Sequence, residues 1–542
     1  MSRKSVSTHD KQALPTLSKE ESYLAAGIFI LLLFALFFQL GVHPLKHEEP
    51  RRALVALEML FRGNWIVPTE VGDLYYNKPP VYNWLLILSF KLFGSYSEFA
   101  VRFFSVLSFL GMGLLIFLFS KKYLSLSFGV YAALFFLVSV DILYYFSLTG
   151  EIDLFYSLIT LASFLAVYHF YHQKRFWPLF FWVYLLTAVG TLTKGLPSIA
   201  FTGITLLTWF IYQKDFRRLF LPAHFAGIFL FLLIVGGYFW AYSLYNDPTG
   251  FLERLYSESS SRTAVDEGNG FLKLMAHIFE FPLTTLVNIM PASLLLIFMF
   301  RKNFVNQLKM QPVITFITLI FIANFILYWL SPGAKARYVY MLYPFPVMVL
   351  VYYFLLSGDE AKAVKVKFLH RIIQVLIIIV AVSGLILPFI PSLQARVPGL
   401  WWVGLLTSVG ALAILWLYLK LPEGRVLSLI LLLVWFRIIF NLTVIPVRAV
   451  EGSEAQDKRD ADSIVSISKN EPLHVLEGSM ISRTTVFYIE RQRREVLNFE
   501  EEIIPDHYYM AYQDSLAEKG YNYETLYSFQ YEEDTLQLVK FK

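Results

Sequence analysis

Two adjacent carboxylates, Glu48 and Glu49, sit in the run His47-Glu48-Glu49-Pro50-Arg51-Arg52-Ala53, just after an apolar segment that ends near Val42. Apolar surroundings strip hydration from a carboxylate and raise its basicity, which suits it to hold or take a proton. The pair also fits the first turn of a helix, where acids complement free N–H groups and Pro50 is tolerated. Thirty residues after Glu48 comes Lys78, inside Tyr75-Tyr76-Asn77-Lys78-Pro79-Pro80-Val81-Tyr82-Asn83-Trp84. Two prolines restrict the chain there, so the ammonium can meet a lipid phosphate with little ordering, or simply snorkel within an aromatic belt. Asp153, in Leu148-Thr149-Gly150-Glu151-Ile152-Asp153-Leu154, reads as a third acid or as a helix N-cap. Lys194 occupies a tight turn, Thr193-Lys194-Gly195-Leu196-Pro197, and Lys335, Arg337 and Tyr338 share the stretch Ser331 to Tyr340, which suits either phosphate oxygens or interfacial anchoring. Glu258, Arg262 and His277 lie in one further loop. No pair of histidines at helical spacing suggests a metal, and there is no Walker loop, dinucleotide fingerprint or Gly-x-Ser-x-Gly elbow.

The elements that must position these residues are membrane helices. Of 542 residues 57% are hydrophobic and 16% charged, and apolar runs long enough to cross a bilayer as helices recur from Leu24 to Val447. Cysteine is absent, which removes disulfides and thiolate chemistry. The first 449 residues carry 36 basic and 22 acidic side chains, the remainder 10 and 19. Basic residues scattered among apolar spans suit anionic lipid rather than nucleic acid. Placing the short basic turns in the cytoplasm predicts thirteen spans, near 23–42, 98–119, 125–146, 153–172, 177–193, 195–213, 222–244, 282–300, 312–331, 338–356, 370–391, 400–420 and 426–446. The segment 79–93, about 15 residues and short for a span, is then a juxtamembrane or re-entrant piece. Residues 1–22 form a cytoplasmic segment and 23–449 an all-α polytopic domain. The loops 43–97 and 245–281 face outward, as does the domain 450–542. In that last part Leu473 to Leu476, Thr485 to Ile489, Tyr508 to Tyr512 and Leu536 to Phe541 read as short strands, with helices near 454–468 and 514–519, an α/β pattern.

The ordered series Glu48-Glu49-x-Arg51, Glu58-Met59, Gly63-Asn64-Trp65, Pro68, Tyr75-x-x-Lys78-Pro79-Pro80, Trp84 and Leu92-Phe93-Gly94 resembles the first outer loop of the GT-C glycosyltransferases. Among these it is similar to the lipid A aminoarabinose transferases and the protein O-mannosyltransferases. The resemblance extends through Asp153, the Lys194 turn, Glu258 with Arg262, and Lys335 to Pro344. It implies a multi-pass protein of the bacterial inner membrane, with a cytoplasmic N-terminus and a periplasmic C-terminal domain. Such a protein moves a sugar, with inversion, from a polyprenyl-phosphate carrier to a lipid or protein acceptor. By the same resemblance Glu48 falls on the catalytic aspartate, one methylene longer, and Asp153 on the second functional carboxylate. Lys78, Arg337 and Tyr338 fall where carrier phosphate is held. Glu49, Arg51, Tyr75, Tyr82, Lys194, Glu258, Arg262 and Lys335 complete the expected substrate-binding set. No cofactor is expected; a divalent metal stays an open question, because Asn77 and Ser259 stand where the resemblance places ligands, and zinc is not expected. The competing reading is a lipid-linked oligosaccharide transporter or flippase. Nearly uncharged mid-membrane stretches weigh against it, since ion and substrate pathways need polar residues at depth.

Overall fold

The computed structural model describes residues 14–261, 270–300, 304–356, 359–519 and 522–541. Among them nine helices are long and apolar enough to cross a membrane, and three further helix pairs reach that length only with a bend between their halves. The pairs are Leu126–Leu137 with Val140–Leu148, bent by 50°, Leu272–Asn288 with Ala292–Phe298, bent by 105°, and Ala336–Leu342 with Pro344–Leu356, bent by 54°. The expected straight spans 125–146, 282–300 and 338–356 are therefore broken. Pro291 and Pro344 stand at two of the breaks, where a residue without an N–H cannot continue the helical ladder. The helix Pro197–Tyr212, 16 residues long, lies within the expected span 195–213 and is shorter than the helices long enough to cross. The helices bury one continuous apolar core that runs from Ala25 and Leu36 through Phe164 and Tyr353 to Leu427 and Val434.

One charge does lie at depth. Arg437, wholly buried in the helix Arg425–Val450, donates to Ser147 Oγ at 3.0 Å and Asn441 Oδ1 at 2.8 Å. Asn441 in turn donates to the carbonyls of Ala35 and Phe38. Through Ser147, Ala35 and Phe38 this seam ties the helix to its neighbours, as burial of polar groups in an apolar core demands, although Arg437 Nη2 has no hydrogen-bond partner among the described residues.

Four helices frame the first long loop. Helix α1 (Lys19–Phe37) opens with a capping box between Ser18 and Glu21. Helix α2 (Glu49–Phe61) carries Pro50 in its first turn, and a hairpin of β1 (Thr69–Glu70) and β2 (Asp73–Leu74) follows it. Helix α3 (Val81–Phe93) is closed by Gly94 in the left-handed conformation (φ 59°), and α4 (Glu98–Tyr123) is capped by Ser97. With 13 residues α3 is about 20 Å long, too short to cross a bilayer, and it packs on α2 and α4. Glu58 binds the hairpin to α2: its carboxylate accepts from Thr69 Oγ1 and from the N–H groups of Val71 and Gly72.

Beyond Val450 lies a small five-stranded sheet. Its order is β4 (Phe499–Glu500), β3 (Leu473–Leu476), β5 (Tyr508–Tyr512), β7 (Asp534–Phe541), β6 (Tyr523–Tyr531). β3 runs parallel to β4 and β5, whereas β7 is antiparallel to both its neighbours. The expected helices appear as Ser453–Ser468 and Gln513–Lys519. The expected strand Thr485 to Ile489 is instead part of the helix Arg483–Arg493, in which every residue from Thr484 to Glu490 is buried. A segment covered on all sides shows no face-specific pattern, so periodicity cannot separate helix from strand there. This helix packs on α2. Tyr488 Oη accepts the Leu45 N–H at 3.1 Å and donates to Glu98 at 2.9 Å, while Lys458 and Arg491 pair with Glu98 at 2.8 Å and 3.2 Å.

Candidate active site

Residues from five places in the chain converge on one site, most of them singled out above. Glu48, Arg51 and Arg52 stand at the start of α2, and Asn77 and Lys78 follow β2. Glu151 and Asp153 flank the start of the helix Ile152–His172, Lys194 ends the helix Phe176–Lys194, and Arg337 and Tyr338 lie in the turn of helix Ala336–Leu342. Together with Ile152 they line one cavity of about 180 Å³. Five of its side chains are cationic and three are carboxylates.

The two adjacent glutamates part company. His47 holds a positive φ of 57°, and α2 begins immediately after Glu48. Successive helical positions diverge by about 100°, so Glu48 faces the cavity while Glu49 turns inward. Glu49 is wholly buried and pairs with Arg102 through two bonds, Nε to Oε1 at 2.8 Å and Nη2 to Oε2 at 3.0 Å. It also accepts the N–H groups of Lys46 and Gly150. The expectation that Glu49 touches substrate is thus corrected: it fastens α2 to α4 and to the turn before Asp153.

Glu48 Oε2 accepts from Arg51 Nη1 at 2.8 Å and lies 3.5 Å from Arg52 Nη2. Burial raises the pKa of this carboxyl, but Arg52 and Arg51, with Arg483 and Arg337 beyond them, hold it below the usual range. Asp153 is paired directly to the Lys194 ammonium, and Arg337 Nε is 3.9 Å from its other oxygen. The side chain of Glu48 is 34% exposed and that of Asp153 3%. Glu48 is therefore the carboxylate that an incoming group can reach, and Asp153 the one that orders the cations.

Several expected residues serve the cavity indirectly or stand apart. The Tyr75 hydroxyl accepts from Arg52 Nη1 and fixes that guanidinium without lining the cavity. Tyr82 is buried against Ser105 at 3.1 Å, so it too is corrected to a packing role. Lys335 is exposed and absent from the cavity wall. The Glu258 side chain and Arg262 lie outside the described residues, as does the Ser259 side chain. His277 bonds the Tyr328 carbonyl at 3.1 Å. Among the described residues no three His, Cys, Asp or Glu side chains are grouped to hold a metal ion.

Two cavity residues were not singled out from sequence, Arg52 and Glu151. Arg52 follows another arginine, and only the pitch of α2 tells which one turns inward. Glu151 lies two residues before Asp153, and that close spacing of acids at a helix start is the signal that could have found it. The Arg337 guanidinium donates to both Glu151 oxygens, at 3.3 Å and 3.2 Å. Burial and the charge of Asp153 push the Glu151 carboxyl up to about 7, against the pull of Arg337 and Arg52. The Nε groups of Arg52 and Arg337 are buried with no hydrogen-bond partner among the described residues. Buried donors left unpaired are costly, and an oxyanion in the cavity would satisfy them.

The Glu151 carboxyl is expected to make anion binding in this cavity pH-dependent. As pH falls from 8 to 6.5 this group takes up a proton, the cavity becomes more positive, and a phosphate ligand is expected to bind more tightly. One linked proton limits the gain to about tenfold per pH unit. In Glu151→Gln this gain should be lost, leaving only the slope from the ligand's own phosphate ionisation. Titration of a polyprenyl phosphate into nanodisc-embedded protein reads this directly, and the same slope in the variant as in the unsubstituted protein would contradict it.

The structure superposes on crystal structures of ArnT from Cupriavidus metallidurans, bound to undecaprenyl phosphate and in the apo state. The TM-scores are 0.68 and 0.67 at 18% and 17% identity, in both cases over 96% of this chain and 98% of that one. The chain has the GT-C fold. It resembles the aminoarabinose transferases within that fold group. Residues 77–240 match the family described as dolichyl-phosphate-mannose-protein mannosyltransferase. The undecaprenyl phosphate-α-4-amino-4-deoxy-L-arabinose arabinosyl transferase 2 of Proteus mirabilis is 32% identical over 213 residues, 38% of this chain and 37% of that protein. The corresponding transferase of Shewanella sediminis is 30% identical over 206 residues, 36% of each chain. The matched stretches thus span little more than a third of these relatives. Within the GT-C fold, the stretch 77–240 alone brings Lys78, Glu151, Asp153 and Lys194 to the cavity.

Proposed function

We propose that this protein is an integral membrane glycosyltransferase of the bacterial inner membrane. It moves a sugar from a polyprenyl-phosphate carrier to a lipid acceptor, at a cavity on the periplasmic side. The observation that carries the reading is the convergence of Arg51, Arg52, Lys78, Lys194 and Arg337 with Glu48, Glu151 and Asp153 in one cavity. The resemblance to the arabinosyl transferases supports an undecaprenyl-phosphate carrier.

The charge balance suits this reaction. A sugar phosphodiester carries one negative charge, and the lipid monoester that departs carries close to two at neutral pH. Cations held in advance around the bridging oxygen therefore stabilise the transition state more than the ground state. In the proposed step an acceptor oxygen attacks the anomeric carbon from the face opposite the phosphate. The carbon–oxygen bond to phosphate breaks, its electron pair passes to the phosphate oxygen, and Glu48 takes the acceptor proton, which gives inversion. Lys78 is buried and its ammonium is steered by the Asn77 carbonyl at 3.1 Å and Asn77 Oδ1 at 3.2 Å. Lys78 and Arg337 hold the phosphate, and Asp153 with Lys194 keeps Arg337 in place.

Lys78→Ala and Arg337→Ala should each weaken binding of undecaprenyl phosphate to nanodisc-embedded protein by roughly 10- to 100-fold, the worth of one charge-assisted hydrogen bond. Affinity unchanged in both would remove the cavity as the phosphate site. The reaction itself is tested by mass spectrometry of envelope lipids and glycoproteins from cells with and without the gene. A single glycosyl mass lost from one lipid species supports the reading. Loss confined to protein would move the acceptor to protein, and no lost mass would leave carrier transport in its place.

A further inference from the structure

The C-terminal domain reaches the cavity through a chain of ions. Glu70, in β1, accepts at Oε1 from Arg51 Nε at 3.2 Å and from Arg483 Nε at the first residue of the helix Arg483–Arg493. Arg51 uses its other arm, Nη1, to hold Glu48 Oε2 at 2.8 Å. The Arg51 fork is therefore gripped at both ends, by the candidate base and by an acid that the C-terminal domain steadies. The same helix also holds the chain on the near side of Glu48, because Leu45 donates its N–H to Tyr488 Oη. Arg62 of the loop donates to Asn498 Oδ1 at 2.9 Å, a second tie next to the hairpin. The hairpin that carries Glu70 is in turn fixed to α2 by Glu58. Contacts made only to keep two domains together have no reason to close on one carboxylate from both sides.

We propose that the C-terminal domain is a positioning element of this cavity and that Arg483 is its positioning residue, acting through Glu70 and Arg51 to set the place and charge of Glu48. The proposal rests on the role given to Glu48 above. A salt-linked arginine with two of its donors engaged has little rotational freedom. Remove Arg483, and Glu70 is free to draw Arg51 away from Glu48. The charged groups that face Glu48 are Arg51 and Arg52 on its own helix, Arg337 beside the helix Ile152–His172, and Arg483 from the C-terminal domain; Lys78, Glu151 and Asp153 share the cavity wall. Loss of one cation from this set makes Glu48 easier to protonate.

The test uses the full-length protein. Cells lacking the gene are complemented with each variant at equal protein level, and the glycosylated mass in the envelope is quantified. Infrared difference titration of the purified protein then follows the protonated-carboxyl band that Glu48→Gln removes. Arg483→Gln is expected to lower the glycosylated product about tenfold and to move the Glu48 band toward neutral pH by about half a pH unit. Arg483→Lys, which keeps the charge, should return most of both. Arg493→Gln is the stability control, because Arg493 donates to Ser468 Oγ and to the Lys469 and Glu471 carbonyls inside the C-terminal domain. It should leave the Glu48 band where it is. Product loss in Arg483→Gln without movement of the band, or without rescue by lysine, would show a merely structural contact and overturn the proposal. So would normal product and an unmoved band. Normal product from Glu48→Gln is a different failure, since it removes the base assigned above whatever Arg483 does.

Discussion

Glu48→Gln is expected to lower sugar transfer by about 10²–10⁴-fold while the carrier phosphate still binds. That range is what a positioned general base contributes, about 3–5 kcal/mol of barrier. Glutamine preserves the length of the side chain and can still accept from Arg51 at 2.8 Å, so the fold of α2 should survive. It cannot take a proton. Removing a negative charge beside the phosphate cations should if anything tighten carrier binding, which separates this variant from Lys78→Ala and Arg337→Ala. Asp153→Asn should behave otherwise. It breaks the pairing with Lys194 and frees Arg337 from its second acid, so binding and transfer should fall together. Measuring carrier affinity and product formation on the same preparations distinguishes the two carboxylates. Full transfer by Glu48→Gln would end the assignment.

Arg102→Met should be the most damaging single change for the fold. Arg102 is buried and donates to both oxygens of Glu49 and to the carbonyls of Leu40, His43 and Pro44. Removing one partner of a buried ion pair leaves the other charge uncompensated, at a cost of about 3–5 kcal/mol. The double change Glu49→Gln with Arg102→Met removes both charges and is expected to recover part of that loss, though three carbonyls stay without their donor. Thermal unfolding in detergent reads the stability, and a loss below about 1 kcal/mol for the single change would show that the pair is not holding the loop. Because Glu49 also accepts the Gly150 N–H, the single variant should displace both Glu48 and Asp153 and lose transfer as well.

The membrane class, the helical run of the first 449 residues and the small α/β ending could be read directly, because long apolar segments and a change of charge sign are properties of composition. Glu48, Lys78, Asp153 and Arg337 could also be named, although each alone fits a helix cap, an aromatic belt or interfacial anchoring; their ordered series of motifs is what groups them. The three bends could not. Two of them fall at a proline within the packed bundle and the third, at Val138 and Ser139, has none, and hydropathy averages across all three. Thr485 to Ile489 misled for a related reason: total burial erases the alternation that separates strand from helix.

Which of two neighbours does the work was beyond any one-dimensional pattern. Glu48 and Glu49 have the same chemistry and adjacent positions, and so do Arg51 and Arg52. A 100° turn of helix sends Glu49 to Arg102 and leaves Glu48 in the cavity, and the same turn gives Arg52 to Tyr75 and Arg51 to Glu70. Residue types and spacing specify that carboxylates and cations are present on one kind of surface, because side-chain chemistry is local. Their pairing is decided by tertiary packing, because electrostatic and hydrogen-bond energies depend on distances of a few ångströms between segments hundreds of residues apart, as between Arg483 and Glu70.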